Sequence, residues 1–310
     1  MTSRQAQTHR PVAEDEFEAL VQPHLRALHV HCYRMSGSLH EAEDLVQETL
    51  LRAWRRLDTY AGRASFAAWL YGIATNACLD ARRSPRLLPS AVVDPDDPTA
   101  MPAPPRADLA WLEPYPDRLL DPAAELDQRE SVRLAFVAAV QHLPPRQRAV
   151  LLLREVLGWS AREVAELLGT TDTSVNSALQ RARASLEVEP LERAPDAAEA
   201  AIVARYVAAW NAADVAGLAA LLREDVEMAM PPTPSWYHGR DALTAFFEAH
   251  FTRFPAGRLR LVPTRANGMP AFGVYDGDTA FAIKVLDVDR MGIRTITGFA
   301  DASLFRFFEL

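Results

Sequence analysis

Apolar residues early in the chain recur every three to four positions, at Phe17, Leu20, Val21, Leu25, Leu28 and Cys32, the spacing of one helix face. Ser38, with Glu41 three residues on, has the pattern of a capping box. The helix it opens carries Ala42, Leu45, Val46, Leu50, Ala53, Trp54 and Leu57 on one side and Asp44, Gln47, Glu48, Leu51, Arg52 and Arg55 on the other. A leucine set among charges marks a face that meets a partner, although a solvated face with one stray leucine has the same pattern. Residues 58–65, with Tyr60 and Arg63, read as a loop into a third helix that buries Phe66, Trp69, Leu70, Ile73 and Ala77. Arg82 and Arg83 end that helix, where its dipole favours cations. Asn76, Asp80 and Arg83 form a polar stripe along it that could instead read bases.

The same spacing returns over 127–189. Leu143-Pro144-Pro145 opens a very apolar helix through Leu157, with proline tolerated in the first turn. Ser160 and Glu163 make a second capping box, Val164, Ala165, Leu167 and Leu168 face inward, and Gly169 stops the helix. A last helix buries Val175, Ala178, Leu179, Ala182 and Leu186. Helix, short glycine-containing turn and helix is the helix-turn-helix arrangement. Its outer face offers Thr173, Ser174, Asn176, Ser177 and Gln180, whose hydroxyls and amides suit base edges. Arg181 and Arg183 add cations able to reach phosphate or guanine. A small helical bundle that binds nothing would simply solvate this face.

Beyond Pro190 and Pro195 the period shifts. Helices are expected at 197–212 and 215–222, an alternating strand over 226–230, a helix at 241–251, and strands near 258–264, 270–275, 279–288 and 291–299. Tyr275-Asp276-Gly277-Asp278 is a hairpin signal, and Thr279, Phe281, Ile283 and Val285 alternate along one face. Asp225, Glu227, Tyr237, His238 and Asp278 are candidate polar groups for a pocket. No acid–base pair at fixed spacing accompanies them.

Composition changes this picture in one place. The 310 residues are 49% hydrophobic and 24% charged, an ordinary globular balance. The net charge of −8 argues against a protein that coats nucleic acid, but it is unevenly spread. Residues 1–88 hold 11 basic and 10 acidic side chains and 131–189 hold 7 and 6, whereas 89–130 hold 3 and 10. Prolines crowd the same acidic segment, so it reads as an extended linker excluded from helix and sheet. Trp111, Leu112 and Tyr115 within it are too large and apolar for a solvated spacer and should dock. Cys32 and Cys78 read as buried free thiols, no metal-ligand spacing surrounds them, and no cofactor is expected. The start lacks the apolar core of a signal peptide, and no run approaches the about 18 apolar residues of a membrane span. A cytoplasmic protein is expected. Lys284 is the only lysine, so cationic contacts elsewhere are made by arginine.

The run Ala42-Glu43-Asp44-Leu45-Val46-Gln47-Glu48-Thr49-Leu50-Leu51-Arg52-Ala53-Trp54, with Phe66-Ala67-Ala68-Trp69-Leu70-Tyr71-Gly72-Ile73-Ala74, closely resembles region 2 of extracytoplasmic-function sigma factors. The helix-turn-helix block resembles their region 4. The C-terminal element order resembles the SnoaL-like, ketosteroid-isomerase-like cone fold, as do Trp236-Tyr237-His238-Gly239-Arg240 and the ending Phe299-Ala300-Asp301-Ala302-Ser303-Leu304-Phe305. The resemblance implies a multidomain chain. All-α domains at 1–88 and 127–189 are joined by the 89–126 linker, and an α+β cone domain follows at 197–310. It implies partners in core RNA polymerase, through the β′ clamp and the β subunit, and in promoter DNA. The Asp44–Arg52 face would dock on the β′ coiled coil. Tyr60, Arg63, Asn76, Asp80, Arg82 and Arg83 would meet the −10 element, and the last helix of the second block the −35 element. The cone domain reads as regulatory or ligand-sensing, with Asp225, Tyr237 and His238 as its pocket. Two rival readings are a ligand-responsive regulator independent of polymerase and a cone-fold enzyme tethered to a transcription module.

Overall fold

The computed structural model describes residues 14–60, 62, 65–81, 86, 91–92, 104–106, 108–120, 131–186 and 196–310. Arg63, Arg82 and Arg83 lie outside the described residues.

Helix α1 (Glu14–Val21) gives way to a 3₁₀ turn over Gln22–His24 before α2 (Leu25–Ser36). The single helix expected from Phe17 to Cys32 is therefore broken, because Pro23 lacks the N–H that would continue it. Gly37, at φ 71°, closes α2 in the left-handed region. Ser38 then caps α3 (Leu39–Arg55) by accepting the Glu41 N–H. The reciprocal arm of the box is replaced: the Ser38 N–H donates to Ser36 Oγ, and Glu41 pairs with Arg86 at 2.9 Å. Ser65 caps α4 (Phe66–Asp80).

The second helical unit comprises α5 (Leu134–Gln141), α6 (Pro145–Leu151), α7 (Ala161–Leu168) and α8 (Asp172–Ser185). Helix α6 loosens into a π turn over Leu152–Val156, where a plain α-helix through Leu157 was expected. The Ser160–Glu163 box is complete, and Gly169 ends α7 at φ 60°.

In the C-terminal unit, α9 (Asp196–Asn211) and α10 (Val215–Ala219) precede β2 (Leu222–Ala229) and β3 (Ser235–His238). Helix α11 (Arg240–Arg253), strands β4 (Leu259–Ala266), β5 (Met269–Asp276), β6 (Thr279–Asp289) and β7 (Gly292–Phe299), and a short α12 (Phe305–Phe308) complete it. With Ala91–Val92 as β1, the sheet order is β1-β3-β2-β7-β6-β5-β4. It is mixed, since β2 pairs with β7 in parallel while β2–β3, β4–β5, β5–β6 and β6–β7 are antiparallel. Strand β1 is Ala91–Val92 of the linker, paired in parallel with β3. The expectation that the linker enters no sheet is thus corrected. Ala91-Val92-Val93 is a proline-free window that can add to an exposed edge.

A register shift between β5 and β6 opposes Tyr275 to Ala280 and Val274 to Ala282, so Phe281 is the extra residue of a bulge. Phe281 turns to the cavity inside the cone, while Ile283 and Val285 face the helical units, so these residues do not share one face as expected. Strand β5 is buried along both faces, one lining the cone and the other covered from outside. The cover is a continuous apolar core. It joins Leu28, Tyr33 and Leu70 of the first helical unit to Leu112 and Tyr115 of the linker, Val132 and Val137 of the second unit, and Ala271, Ile283 and Phe305 of the third.

Candidate functional site

Helix α3 presents the first candidate surface. Its buried side carries Ala42, Leu45, Val46 and Ala53, which leaves Asp44, Gln47 and Leu51 exposed and Glu48 and Arg52 half-buried. Leu51 is 53% exposed at the centre of that face, and Trp54 is 41% exposed one turn on. Arg52 is held between Glu48 and Asp80, each at 2.7 Å. Both carboxylates raise the guanidinium above its ordinary pKa, so it stays a fixed cation. Asp80 therefore belongs to the α3 face as well as to the α4 stripe.

Tyr60 packs its ring on Phe66 and Trp69 at 5.5 and 5.3 Å between centroids. Tyr60, Trp69 and the exposed Asn76 line one wall of a cleft of about 430 Å³. Trp159, Glu163, Glu166 and Leu167 of the second helical unit line the opposite wall. Gly72 of α4 brings the walls together, since a Cβ there would lie 3.1 Å from Leu167 Cδ1. Two carboxylates thus face the groups expected to receive single-stranded DNA.

Helix α8 turns Val175, Leu179 and Ala182 inward. Thr173, Ser174, Asn176, Gln180, Arg181 and Arg183 are exposed and Ser177 is half-buried. Arg183 pairs with Glu155 at 2.7 Å across the exposed surface. Thr171 caps the helix by accepting the Ser174 N–H, which engages the backbone of Ser174 and leaves the outer face to side chains.

Sequence reasoning left open what the aromatic segment of the linker docks on. Leu112 and Tyr115 are buried, and half-buried Trp111 donates its indole N–H to Arg106 O at 2.8 Å. Glu113 accepts the Leu39 and His40 N–H groups at 2.8 and 3.2 Å, placing a carboxylate at the N-terminus of α3. Asn267, in the β4–β5 turn, completes the junction and was not singled out in the sequence. It accepts the Tyr115 N–H at 2.7 Å and donates to Tyr33 Oη at 3.0 Å and to Val132 O. Its own N–H donates to Tyr115 O at 2.8 Å. One side chain therefore touches both helical units and the linker from the third unit. The signal was legible as Asn-Gly between two apolar strands, a tight-turn pair in which Asn takes φ 56°.

Two buried arginines add to this junction. Arg133 pairs with Asp287 of β6 at 2.6 Å. Arg148 donates to Gln141 Oε1 at 2.7 Å, to Gln141 O at 2.9 Å, and to Met35 O at the end of α2. Gln141 donates to Arg34 O at 3.1 Å, so two side chains of the second unit satisfy carbonyls that α2 leaves free. Burial lowers the Arg148 pKa to about 10.

The cone encloses an apolar cavity of about 380 Å³, and its lining corrects the expected pocket. Asp225 is exposed and held by Arg223 at 2.7 Å, and its carboxyl sits below the usual range because of that bond. His238 is exposed at the end of β3, 3.7 Å from Glu227. Asp278 is exposed on the β5–β6 hairpin. Tyr237 is buried against Phe246 at 4.9 Å but does not line the cavity. Strand alternation explains the miss: a shift of one residue moves a side chain to the other face of the sheet. Lys284, His250 and Arg253 are the basic groups that do line it. Among the described residues no cluster of His, Cys, Asp and Glu could hold a metal, and no helix is long and apolar enough to cross a membrane.

Two helical units, one with an exposed helix-turn-helix, and a cone domain packed on both make the architecture of a multidomain DNA-binding transcription protein. Residues 20–86 match the Sigma-70 region 2 model, 133–186 the Sigma-70 region 4 model, and 203–302 the SnoaL-like domain model. The chain is 44% identical to the ECF RNA polymerase sigma factor SigG of Mycobacterium tuberculosis over 310 residues, covering 95% of this chain and 84% of that one. It is 32% identical to SigJ of the same organism over 216 residues, 68% of this chain and 62% of SigJ. The crystal structure of SigJ superposes with a TM-score of 0.66 at 24% identity, over 96% of this chain and all of that one, a likeness of fold. The chain belongs to the extracytoplasmic-function sigma factors of RNA polymerase and carries a SnoaL-like C-terminal domain. Its function is that of the family, directing RNA polymerase to promoters, and the reading of a regulator independent of polymerase is not favoured.

Proposed function

We propose that the chain divides this work among four surfaces. The α3 face of Asp44, Gln47, Glu48, Leu51 and Arg52 seats on the β′ clamp coiled coil. The single observation that carries this is Leu51, an exposed leucine between charged neighbours on a helix whose other aliphatic side chains are buried or half-buried. Tyr60, Asn76 and Asp80, together with Arg63, Arg82 and Arg83, receive the opened −10 element. Thr173, Ser174, Asn176, Ser177, Gln180, Arg181 and Arg183 of α8 read the −35 element in the major groove. The acidic linker follows a path through the polymerase, against the β subunit, that nucleic acid otherwise uses.

The cone domain acts as a regulator and holds the two helical domains closed in the free protein. The support is the cleft in which Glu163 and Glu166 face Tyr60, Trp69 and Asn76. DNA that reaches those aromatics must first displace α7, so initiation follows opening. We read the domain as non-catalytic: Asp225 and His238, the residues an enzyme reading would use, lie on the surface outside the cavity.

In vitro transcription with core polymerase tests the reading. Deleting 191–310 would expose the apolar surface of Leu112 and Tyr115, so Asn267→Ala and Arg133→Met are the cleaner probes. Both should change promoter-specific initiation while leaving the α3 face intact. Unchanged initiation, with weakened domain docking verified, would remove the regulatory role. Leu51→Asp should weaken association with core at least tenfold, and undiminished binding would remove the docking assignment.

A further inference from the structure

The only lysine of the chain stands inside the cone. Lys284 lies on β6, and its Nζ sits 3.3 Å from the centre of the Trp210 ring and 3.3 Å from Tyr206 Oη. It keeps some accessible surface yet is packed about on all sides, as a side chain opening only into an internal cavity does. No carboxylate pairs with it among the described residues. An ammonium has three donors and no acceptor capacity. Here one phenol and one aromatic face answer them, which leaves a donor aimed into apolar space.

The rest of the lining has the same sign. His250 stacks near Phe246 and Phe254, and its Nε2 is buried without a hydrogen-bond partner. Lys284 and His250 are close enough that the charge of the first helps hold the second neutral, after burial. Arg253, exposed at the end of α11, and Phe281, 44% exposed, mark the mouth. Every titratable group lining the cavity is thus basic, and the remaining walls are almost wholly apolar. The volume of about 380 Å³ falls within the range of small-molecule sites.

Such a lining discriminates by charge. A cation is repelled by Lys284 and Arg253. A neutral apolar molecule fills the volume but leaves the amine desolvated and short of acceptors, which costs free energy. An anion on an apolar body supplies both acceptors and the missing countercharge.

We propose that the cone cavity is a binding site for an amphiphilic monocarboxylate, its carboxylate held by Lys284 and His250 and its body packed against Trp210, Phe247 and Phe254. The site goes beyond the regulatory reading and stands whether or not its occupancy alters transcription.

The single lysine makes the test direct. Full-length protein carrying isotope-labelled lysine has one side-chain signal, that of Lys284. Octanoate, 1-octanol and octyltrimethylammonium share a chain and differ in charge. Octanoate should saturate, shift that signal, and bind at least tenfold more tightly than octanol, with no saturable binding of the cation. In Lys284→Met, octanol binding should persist and the preference for octanoate should disappear. Equal binding of octanoate and octanol by the natural protein would overturn the proposal without any variant. So would octanoate binding that leaves the Lys284 signal unmoved.

Discussion

At the residue scale, three histidines, His31 buried and His29 and His250 half-buried, are held neutral and couple stability to pH. Burial lowers His29 to about 4 and both His31 and His250 to about 3. Their native pKa values lie below the unfolded value of 6.5, so the unfolded chain takes up protons first as pH falls. Their contribution is complete above 6.5 and is lost progressively toward 4 and 3. Each should cost about 1.4 kcal/mol per pH unit below 6.5, visible as a falling urea midpoint between pH 7 and pH 5. Asn267 and Arg148 concentrate another kind of sensitivity, because each satisfies buried groups of a different domain. Asn267→Ala should weaken docking of the cone domain by about 2–4 kcal/mol, seen as earlier, separate unfolding of that domain in calorimetry. Arg148→Ala leaves a carbonyl of α2 without its donor and should cost about 3 kcal/mol in chemical denaturation.

At the element scale, α3 and α8 show how a helix keeps a surface in reserve. Each buries one stripe, and the solvent side then tolerates change without loss of the fold. Leu51→Asp should therefore leave the thermal midpoint nearly unchanged while binding to core polymerase falls at least tenfold. In α8, Gln180→Ala and Arg181→Ala should each cost about 1–3 kcal/mol in promoter binding by the assembled polymerase. If Arg181 contacts phosphate, its loss should also lower the salt dependence by about one charge. The β5–β6 hairpin contrasts with these helices, since β5 is buried along both faces and the bulge in β6 turns Phe281 to the cavity. Phe281 reaches the interior through that register shift, and Lys284 by regular alternation with Ala282.

At the scale of the whole molecule, the shared core is the main finding. Three domains that match three family models do not sit as separate bodies, because the linker aromatics and the outer face of the cone sheet fill one apolar core with both helical units. The closed arrangement sets α7 and its carboxylates against the α4 stripe, and weak affinity of the free protein for promoter DNA should follow. Asn267→Ala, which loosens the junction, should raise that affinity in filter binding or fluorescence anisotropy. The linker's acidity takes on a clearer meaning here: Glu113 caps α3, and Asp117 accepts the Gly268 N–H at 2.8 Å and pairs with Arg265.

The sequence by itself determined what depends on neighbours along the chain. Helical period, the caps at Ser38, Ser160 and Thr171, the stop at Gly169 and the outward face of α8 are local. Short-range sterics and backbone hydrogen bonding decide them. The resemblance carried by residues 42–54 and 66–74 was legible for the same reason, since a docking helix is a continuous pattern. What only the tertiary structure decided is which sheet face looks inward and what covers the other. Register is a pairing between distant strands, and α11 packs on the sheet only once the chain folds, so the cavity is lined by His250, Arg253 and Lys284 rather than by Asp225, Tyr237 and His238. The closed state likewise rests on Asn267, Arg133 and Arg148, whose partners lie far off in sequence. Long-range hydrogen bonds leave no periodic trace in a chain, and only folding brings their two ends together.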